Sequence, residues 1–560
     1  MTGSAQSVAL AASQLAAQGR DAEADAMYAR GLADFPQDAR LANSAGNFHF
    51  KAGRLDRALA LFERALSLAP NLVEAGINAA ITLGRMDQPA RAAALLAPLE
   101  VVAAQNPGYW RVRGDSERQA MRYREAEASI ARAAALDPSG AKTARSRARL
   151  ALERSAPNAI PLLETALTLN RGDPNLLFDY AQALAVAGRL GEALECTTTL
   201  ITHVPGWTAA LKLHAELRWA AGEQANFADH FAQITAQQGA GPDVWLAWSE
   251  TLEGVDRPAD SAAILARARA IWPENAGLAL AQAVALGEAG AADEAQGVLD
   301  RFAGMTTPEW ATARGRNWLR LGEIARAEGE LATVRAARPA DVVAWALTDL
   351  CWRLSGDARH EWLHGQPGLV RQLPLSLDEG ERAELTALLT ELHRHSAMPI
   401  GQSVKRGSQT KGALFARAEP ELARLEAALH GALADYRAGQ PPADPHHPLL
   451  AHRDDPWTIV GSWSIRLDGQ GHHAAHIHPR GLLSSASYWL VPDEVDADGQ
   501  PGWLELGNPP PGLAEGLGSL HTVRPQPGTL VLFPSTLYHG TRPITQGARM
   551  TVAFDVSAAN

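Results

Sequence analysis

Glycine and proline recur at a fixed separation along the first two thirds of the chain. Gly53 precedes Pro70 by seventeen residues, and the same spacing separates Gly188 from Pro205. Pro36 and Pro70 are 34 residues apart. Between the markers lies a run of the type GR-x-x-[DE]-A, followed by apolar residues at helical spacing; GRLDRALALFERALSLAP is the clearest copy. A fixed period predicts a stack of similar units, because each unit can bury its apolar face only against its neighbours.

Each unit is expected to contain two helices. Glycine just past one helix permits the left-handed turn residue, and proline ends the next helix because it has no N–H to donate. Met121 takes the glycine position before Pro138. The pattern resembles the tetratricopeptide repeat, a pair of antiparallel helices. We therefore expect an all-α superhelical solenoid of about ten units over residues 1–370, with degenerate units around 87–120 and 225–255.

Charge and composition exclude several kinds of partner. The chain has 560 residues, too many for one core, and a formal net charge of -11. Nucleic acid and anionic membrane both require basic patches, so we expect neither as a partner. No secretory signal and no run of eighteen apolar residues is visible, which predicts a soluble, cytoplasmic protein. One disulfide is arithmetically possible, but Cys196 and Cys351 are expected to be reduced, buried thiols.

Residues 371–450 are predicted to form a helical connector together with helices of the domain that follows. Residues 375–395 have the pattern of an amphipathic helix that opens at Ser376, with Glu379 three positions on as a capping box. A second helix is predicted from about residue 420 to 437.

The remaining 451–560 are predicted to be mainly β. From Trp457 onward, short runs such as WTIVGSWSIRL, SASYWLV and TLVLFP are separated by glycine, proline and aspartate clusters, which is typical of strands. Upstream, the polar segment GQSVKRGSQTKG at 401–412 predicts a loop. His472 and His473 fall in a glycine-rich turn and are expected at the surface.

Three histidines and an arginine follow one another in this β region. His476 and His478 are two residues apart, so on a strand they share a face and can bind one ion. A third ligand must come from another strand, and His539 follows an apolar run that predicts one. Arg549 and Thr551 share a face of the last predicted strand. This order is typical of a mononuclear iron site inside a β-barrel.

The stretches HIHP, SYWLVP, GWLEL, PQPGTLVLFPSTLYHGTRP and GARMTVAFDV together resemble the Fe(II)/2-oxoglutarate-dependent oxygenase superfamily, in its prolyl-hydroxylase-like branch. The resemblance covers about residues 398–558 and implies a double-stranded β-helix, or jelly roll. The chain is also similar to a bacterial group in which tetratricopeptide repeats precede an oxygenase of this type. Fe(II) and 2-oxoglutarate are the implied cofactors, with His476 and His539 as metal ligands.

The same resemblance implies a set of cosubstrate contacts. Arg549 would bind the distal carboxylate of 2-oxoglutarate, a bidentate task suited to a planar guanidinium. Thr551 would add a hydroxyl. Tyr488 and Arg466 fall where the superfamily often places polar groups on the cosubstrate, although arginine at 466 departs from the tyrosine common there.

His478 is the main departure from the family pattern. Most members carry Asp or Glu at this position, which gives a face of two histidines and one carboxylate. Three histidines, as in thiol dioxygenases of the cupin class, raise the net charge of the site by one and favour Fe(II) over Fe(III). Three imidazoles also suit Zn and Cu. Alternatively, Glu505 or Asp555 would supply the carboxylate.

Three functions fit these patterns. The first is an Fe(II)/2-oxoglutarate dioxygenase that hydroxylates a protein or peptide, which the concave groove of the repeats binds and concentrates. The second is a three-histidine metal oxygenase that does not use 2-oxoglutarate. The third is an interaction or scaffold protein with a non-catalytic barrel. No G-x-S-x-G, G-x-x-x-x-G-K-[ST] or H-E-x-x-H motif is present, so hydrolase, nucleotide-binding and zincin functions lack support.

Overall fold

The computed structural model describes residues 4–237, 239–396 and 400–558. It divides into two compact units, Met1–Ala183 and Leu184–Asn560. Within the described residues, no helix is both long enough and apolar enough to cross a membrane.

The first unit is built from α-helices joined by tight turns. In α4 (Leu55–Leu68), the buried positions include Ala58, Phe62 and Ala65, which lie on one face of the helix. A Cβ at Gly46 would lie 2.5 Å from the Phe62 ring, so the two helices of this pair approach closely at a glycine. The other helices are α1 (Ala5–Ala17), α2 (Asp21–Asp34), α3 (Ala39–Lys51), α5 (Val73–Arg85), α6 (Pro89–Leu96), α7 (Pro107–Gln119), α8 (Tyr123–Leu136), α9 (Ala141–Glu153), α10 (Ala159–Leu169) and α11 (Pro174–Val186), which runs into the second unit.

The second unit continues with helices of the same kind and then adds two helices of a β domain. Left-handed glycines precede repeat helices here too, with φ values of 75° at both Gly188 and Gly322. Its helices are α12 (Leu190–His203), α13 (Thr208–Ala220), α14 (Asp229–Thr235), α15 (Pro242–Glu253), α16 (Pro258–Ile271), α17 (Ala276–Glu288), α18 (Ala292–Asp300), α19 (Pro308–Arg320), α20 (Ile324–Ala337), α21 (Val342–Ser355), α22 (Glu379–Leu392) and α23 (Pro420–Ala438).

Two antiparallel sheets form the β domain. Their strands are β1 (Arg371–Pro374), β2 (Val404–Gln409), β3 (Trp457–His473), β4 (Leu483–Leu490), β5 (Leu504–Leu506), β6 (His521–Val523), β7 (Thr529–Pro534), β8 (His539–Thr541) and β9 (Ala548–Ala558). The larger sheet has the order β1-β7-β4-β9-β3-β2, and the smaller sheet has the order β6-β5-β8. This arrangement agrees with the expected jelly roll.

The larger sheet is covered on both faces. On β7, Leu530 and Leu532 join an apolar cluster with residues of α22 and α23. Val531 and Phe533 of the same strand point the other way and pack in a cluster with Leu504 of the smaller sheet. Alternation along the strand therefore places helices behind the larger sheet and the smaller sheet in front of it.

Part of the 371–450 region differs from its prediction. α22 begins at Glu379, and its capping box uses Asp378 and Glu381, not Ser376 and Glu379. The polar segment predicted as a loop contains strand β2, which pairs with β3. β1 also belongs to the larger sheet. The region therefore supplies strands as well as helices, while the helix predicted from 420 to 437 is confirmed as α23.

The last repeat helices pack directly against the β domain within the second unit. Arg353 of α21 donates hydrogen bonds to the carbonyls of Gly507 (2.6 Å) and Gly518 (2.5 Å). Leu347 of α21 lies in one apolar cluster with Tyr538. Both cysteines are free; Cys351 in α21 is buried as predicted, but Cys196 is only half-buried.

Candidate metal and cosubstrate site

His476 and His539 are joined through their backbones. The N–H of His476 donates to the carbonyl of His539 (3.0 Å), and the N–H of His539 donates back (2.9 Å). His476 lies beyond the end of β3 in this isolated bridge, and His478 follows in irregular chain. The prediction that the histidine pair lies on a regular strand is therefore wrong, because the ladder ends at His473.

The side chains of the three predicted ligands nevertheless converge. The Nε2 atoms of His476 and His478 are 3.0 Å apart. The ring centre of His539 lies 4.2 Å from that of His476 and 4.9 Å from that of His478. One ligand atom from each of the three lies within 4.8 Å of the others.

Backbone carbonyls fix two of the rings. Nδ1 of His476 lies 2.9 Å from the carbonyl oxygen of Ala474, and Nδ1 of His539 lies 3.1 Å from that of Leu537. A carbonyl oxygen can only accept, so each Nδ1 carries the proton. Both Nε2 atoms then carry a lone pair, which is the form of imidazole that binds a metal.

A carboxylate fixes the third ring. Nδ1 of His478 lies 2.5 Å from Oδ1 of Asp555, on the opposite side of the ring from Nε2. Glu505, the other alternative carboxylate, pairs with Arg542 at 2.9 Å. Neither carboxylate joins the convergent atoms among the described residues.

The donor set fits a metal ion. Two nitrogens that each bind one ion at about 2.1 Å, at a right angle, lie roughly 3 Å apart. The Nε2 atoms of His476 and His478 have that separation, 3.0 Å. Without an ion or a proton between them, two lone pairs would face each other across this gap.

Two of the three imidazoles, those of His476 and His539, are held in the neutral form. Burial, and then the neighbouring His478, lowers the pKa of His476 to about 4. Burial, and then His476, lowers the pKa of His539 well below its ordinary value. A metal would therefore not compete with protons for these two ligands near neutral pH.

Arg549 lines the same cavity as the histidines. It is 2% exposed, and it forms no ion pair with any carboxylate of the described residues. Its Nε and the hydroxyl of the fully buried Tyr488 both lack a hydrogen-bond partner there. Burial lowers the pKa of Arg549 and, despite the adjacent guanidinium, raises that of Tyr488. An unpaired buried cation is costly, so the cavity is suited to an anion.

The other predicted cosubstrate residues divide into two groups. Thr551 lines the cavity beside Arg549, whereas Tyr488 packs behind that guanidinium. Arg466 lies on the face of β3 opposite Ile465 and pairs with Asp468 at 3.1 Å. The structure does not bring Arg466 to the cavity, so we propose no cosubstrate contact for this residue.

The cavity has a volume of about 930 Å³ and extends to a repeat helix. Gly254 and Asp256, at the end of α15, lie on its wall. The carbonyl of Gly254 accepts from the N–H of Gly401 (3.0 Å), and Asp256 pairs with Lys405. No motif in the sequence indicates that the end of α15 contributes to the cavity wall, because the contacting segments lie far apart along the chain.

Two further residues at the site escaped the sequence patterns. The hydroxyl of Ser403 lies 3.2 Å from Nε2 of His476 and 3.1 Å from Nδ1 of His473. The His473 ring stacks on that of His476 with centres 5.9 Å apart. His473, predicted at the surface, therefore lines the cavity because β3 continues through the glycine-rich segment expected to be a turn.

Comparison with solved structures finds helical repeat proteins. A tetratricopeptide repeat protein from Parabacteroides merdae ATCC 43184 is 14% identical, with a TM-score of 0.37, covering 44% of this chain and 97% of its own. The pilF protein of Pseudomonas aeruginosa is 17% identical over 38% and 96%, with a TM-score of 0.32. A thermophilic repeat protein from Thermus thermophilus is 21% identical over 35% and 99%, with a TM-score of 0.28.

No curated protein matches the chain. Residues 49–115 and 150–217 match the tetratricopeptide repeat family. Residues 461–555 match the family described as "Putative 2OG-Fe(II) oxygenase", and they include the three histidines and Arg549. The chain therefore combines tetratricopeptide repeats with a carboxy-terminal segment that matches the oxygenase family of this description.

Proposed function

We propose that this chain is an Fe(II)- and 2-oxoglutarate-dependent dioxygenase that hydroxylates a protein or peptide recruited by its repeats. One feature of the β domain supports this function above all others. Three imidazoles converge beside a buried guanidinium that has no carboxylate partner among the described residues. A cation site and an anion site thus share one cavity.

His476, His478 and His539 would hold the metal through Nε2. Fe(II) and 2-oxoglutarate, when bound, supply an oxidation in which one atom of O₂ enters succinate with loss of CO₂ and the other enters a substrate C–H bond. The protein itself contributes by holding the three metal ligands in place. The Nδ1 contacts described above restrain all three rings, so little reorganisation accompanies metal binding.

Arg549 would receive the distal carboxylate of 2-oxoglutarate. Its guanidinium offers parallel N–H donors that match a carboxylate. The ring of Tyr488, with its centre 5.2 Å from the guanidinium carbon, restricts where that group points. Thr551, two residues along the same strand face, would add a hydroxyl donor.

Apolar side chains form part of the cavity wall. Ile465, Leu504 and Phe533 line the cavity next to the polar groups. They exclude water from the reacting groups and strengthen the electrostatic contacts inside. The Trp463 ring lies 5.4 Å from that of His478 and covers this ligand from the side of β3.

The repeats would deliver the substrate. Stacked helix pairs of this kind form extended concave surfaces that bind peptides and proteins. Binding there raises the concentration of a tethered segment near the cavity. The end of α15 lies on the cavity wall, which supports a route from repeats to site. A cytoplasmic location stays a prediction from the sequence.

The test measures succinate release. Anaerobic protein receives Fe(II), 2-oxoglutarate and then O₂, and succinate should form in proportion to the O₂ consumed. His539→Ala should abolish it. O₂ consumption without 2-oxoglutarate would favour the three-histidine oxygenase instead. Absence of both metal binding and O₂ consumption would favour a scaffold protein with a non-catalytic barrel.

A further inference from the structure

We infer that Asp555 is a positioning residue that gives the three-histidine group the net charge of a site with two histidines and one carboxylate. This inference deepens the proposed function and rests on it, since it concerns the same metal group. Asp555 would act on the metal through His478, without contacting the metal itself.

The carboxylate of Asp555 is directed at one histidine. Its Oδ1 lies 2.5 Å from Nδ1 of His478, and both side chains are 16% exposed. Among the described residues, no lysine or arginine forms an ion pair with it. Its charge is therefore not compensated elsewhere.

The three histidines differ in the group that accepts a hydrogen bond from Nδ1. Nδ1 of His476 and of His539 donate to neutral carbonyls, at 2.9 and 3.1 Å. Only His478, of these three, donates to a carboxylate. A carboxylate on Nδ1 fixes the ring and raises the basicity of the other nitrogen. His478 is thus the strongest donor of the three.

Strand β9 contributes two residues of opposite charge to the cavity wall. Arg549 and Asp555 both line it from the same face of the strand. The Cα atoms of the two residues, six positions apart on the strand, are about 20 Å apart, and the two side chains form no ion pair with each other. The metal group lies beside Asp555, and the anion site lies beside Arg549.

The charges of Fe(II), 2-oxoglutarate and Arg549 sum to plus one, and the carboxylate of Asp555 cancels this charge. The two charges of Fe(II) and the charge of Arg549 are balanced by the two carboxylates of 2-oxoglutarate and by Asp555. Without Asp555, one positive charge would stay uncompensated in a largely buried cavity, which is unfavourable. Three histidines lack the negative charge that a carboxylate ligand would bring. Asp555 supplies this charge through its hydrogen bond with Nδ1 of His478.

The test compares Asp555→Asn with a matched control, using Co(II) as the probe in the full chain. Glu505→Gln removes a carboxylate from the same domain, but that carboxylate pairs with Arg542 and does not line the cavity. We expect D555N to weaken Co(II) binding about 10- to 100-fold. E505Q should change it by less than about twofold, and D555E, which keeps the charge, should recover part of the loss. D555N should also raise the Fe(III)/Fe(II) midpoint potential.

Co(II) binding requires neither 2-oxoglutarate nor turnover. If the wild-type chain binds Co(II) with these variant effects but releases no succinate, the inference stands and the proposed function fails. If D555N binds Co(II) like the wild type, or E505Q loses as much affinity, the inference is overturned. A wild-type chain that binds no Co(II) overturns both.

A measurement on the wild-type chain covers the case in which D555N does not fold. With Zn(II) bound and ¹⁵N-labelled histidine, the Nδ1 proton of His478 should resonate downfield of those of His476 and His539. The reason is that, of these three residues, only His478 donates its Nδ1 proton to a carboxylate. Three equivalent Nδ1 protons would overturn the inference.

Discussion

The guanidinium carbon of Arg549 lies 5.2 Å from the centre of the Tyr488 ring. Both side chains are buried in the β domain, and neither has a carboxylate partner among the described residues. The aromatic ring stabilises the cation without neutralising it, since a cation–π contact carries no counter-charge. A full positive charge therefore remains available in the wall of the histidine-lined cavity.

Replacement of Arg549 should weaken the binding of 2-oxoglutarate. We expect Arg549→Gln to weaken 2-oxoglutarate binding by about 100-fold, or about 3 kcal/mol, because one partner of a desolvated pair is removed. Arg549→Lys should be intermediate, since lysine keeps the charge but not the bidentate geometry. Anaerobic calorimetry with Mn(II)-loaded protein measures both. Arg466→Gln is the control and should bind normally; equal losses in R466Q and R549Q would contradict the account.

Arg353 should hold the last repeat helix to the β domain. Its side chain is 7% exposed, and it donates to the carbonyls of Gly507 and Gly518. Arg353→Ala leaves those acceptors without this partner, so the free energy of unfolding should fall by about 2–4 kcal/mol. Urea unfolding measures it. Arg257→Ala removes an exposed arginine whose ion pair, among the described residues, is with Asp260 three positions on, and should change stability by less than about 0.5 kcal/mol.

The repeat architecture was predictable because each turn between helices depends on residues that are close together in the sequence. Glycine at 53 and 188 adopts φ values of 74° and 75°, which the turn between helices requires. Met121, which occupies a glycine position in the sequence pattern, has φ 59°. The spacing of these positions therefore shows where the backbone turns between one helix and the next. The helix predicted to open at Ser376 begins instead after Asp378, since both residue types cap well and the pattern does not separate them.

The convergence of the three histidines was predictable from the sequence, but the surroundings of the candidate metal site were not. His476, His478 and His539 converge, although the pair lies outside a regular strand. By contrast, β2 was predicted as a loop because its polar sequence carries no strand pattern; it pairs only because β3 offers an edge. Contacts between α15 and the segment after residue 400 join residues about 150 apart, and such contacts leave no periodicity to detect.

The contact between α15 and the cavity wall can be tested at Gly254. A Cβ there would lie 2.6 Å from Ile400 Cγ2 and 2.8 Å from the backbone nitrogen of Gly401. Gly254→Ala must displace that backbone, so we expect a loss of about 1–3 kcal/mol in the free energy of unfolding. Gly329 in α20 has open space around its Cα, and Gly329→Ala should stabilise by about 0.5–1 kcal/mol. An unchanged G254A stability, measured in urea, would argue against this contact.

Stability should depend on pH through His393. Its ring nitrogens contact the hydroxyls of Ser408 (2.8 Å) and Ser464 (2.9 Å), and burial lowers its pKa to about 4. The unfolded chain binds this proton near pH 6.5, before the folded chain does. Folding stability is therefore lost as pH falls from about 6.5 to 4, by roughly 3 kcal/mol for this group. His393→Gln should lack this part of the pH dependence in urea unfolding curves. Parallel curves for both proteins would show that His393 is not held neutral.

One metal ion is expected to bind through Nε2 of His476, His478 and His539. Anomalous diffraction at the iron edge, from crystals loaded with Fe(II) without oxygen, measures this directly. We expect one peak per chain within bonding distance of all three Nε2 atoms, with the Asp555 carboxylate still on Nδ1 of His478. A peak elsewhere, no peak, or a carboxylate oxygen of Asp555 or Glu505 bound to the ion would contradict it.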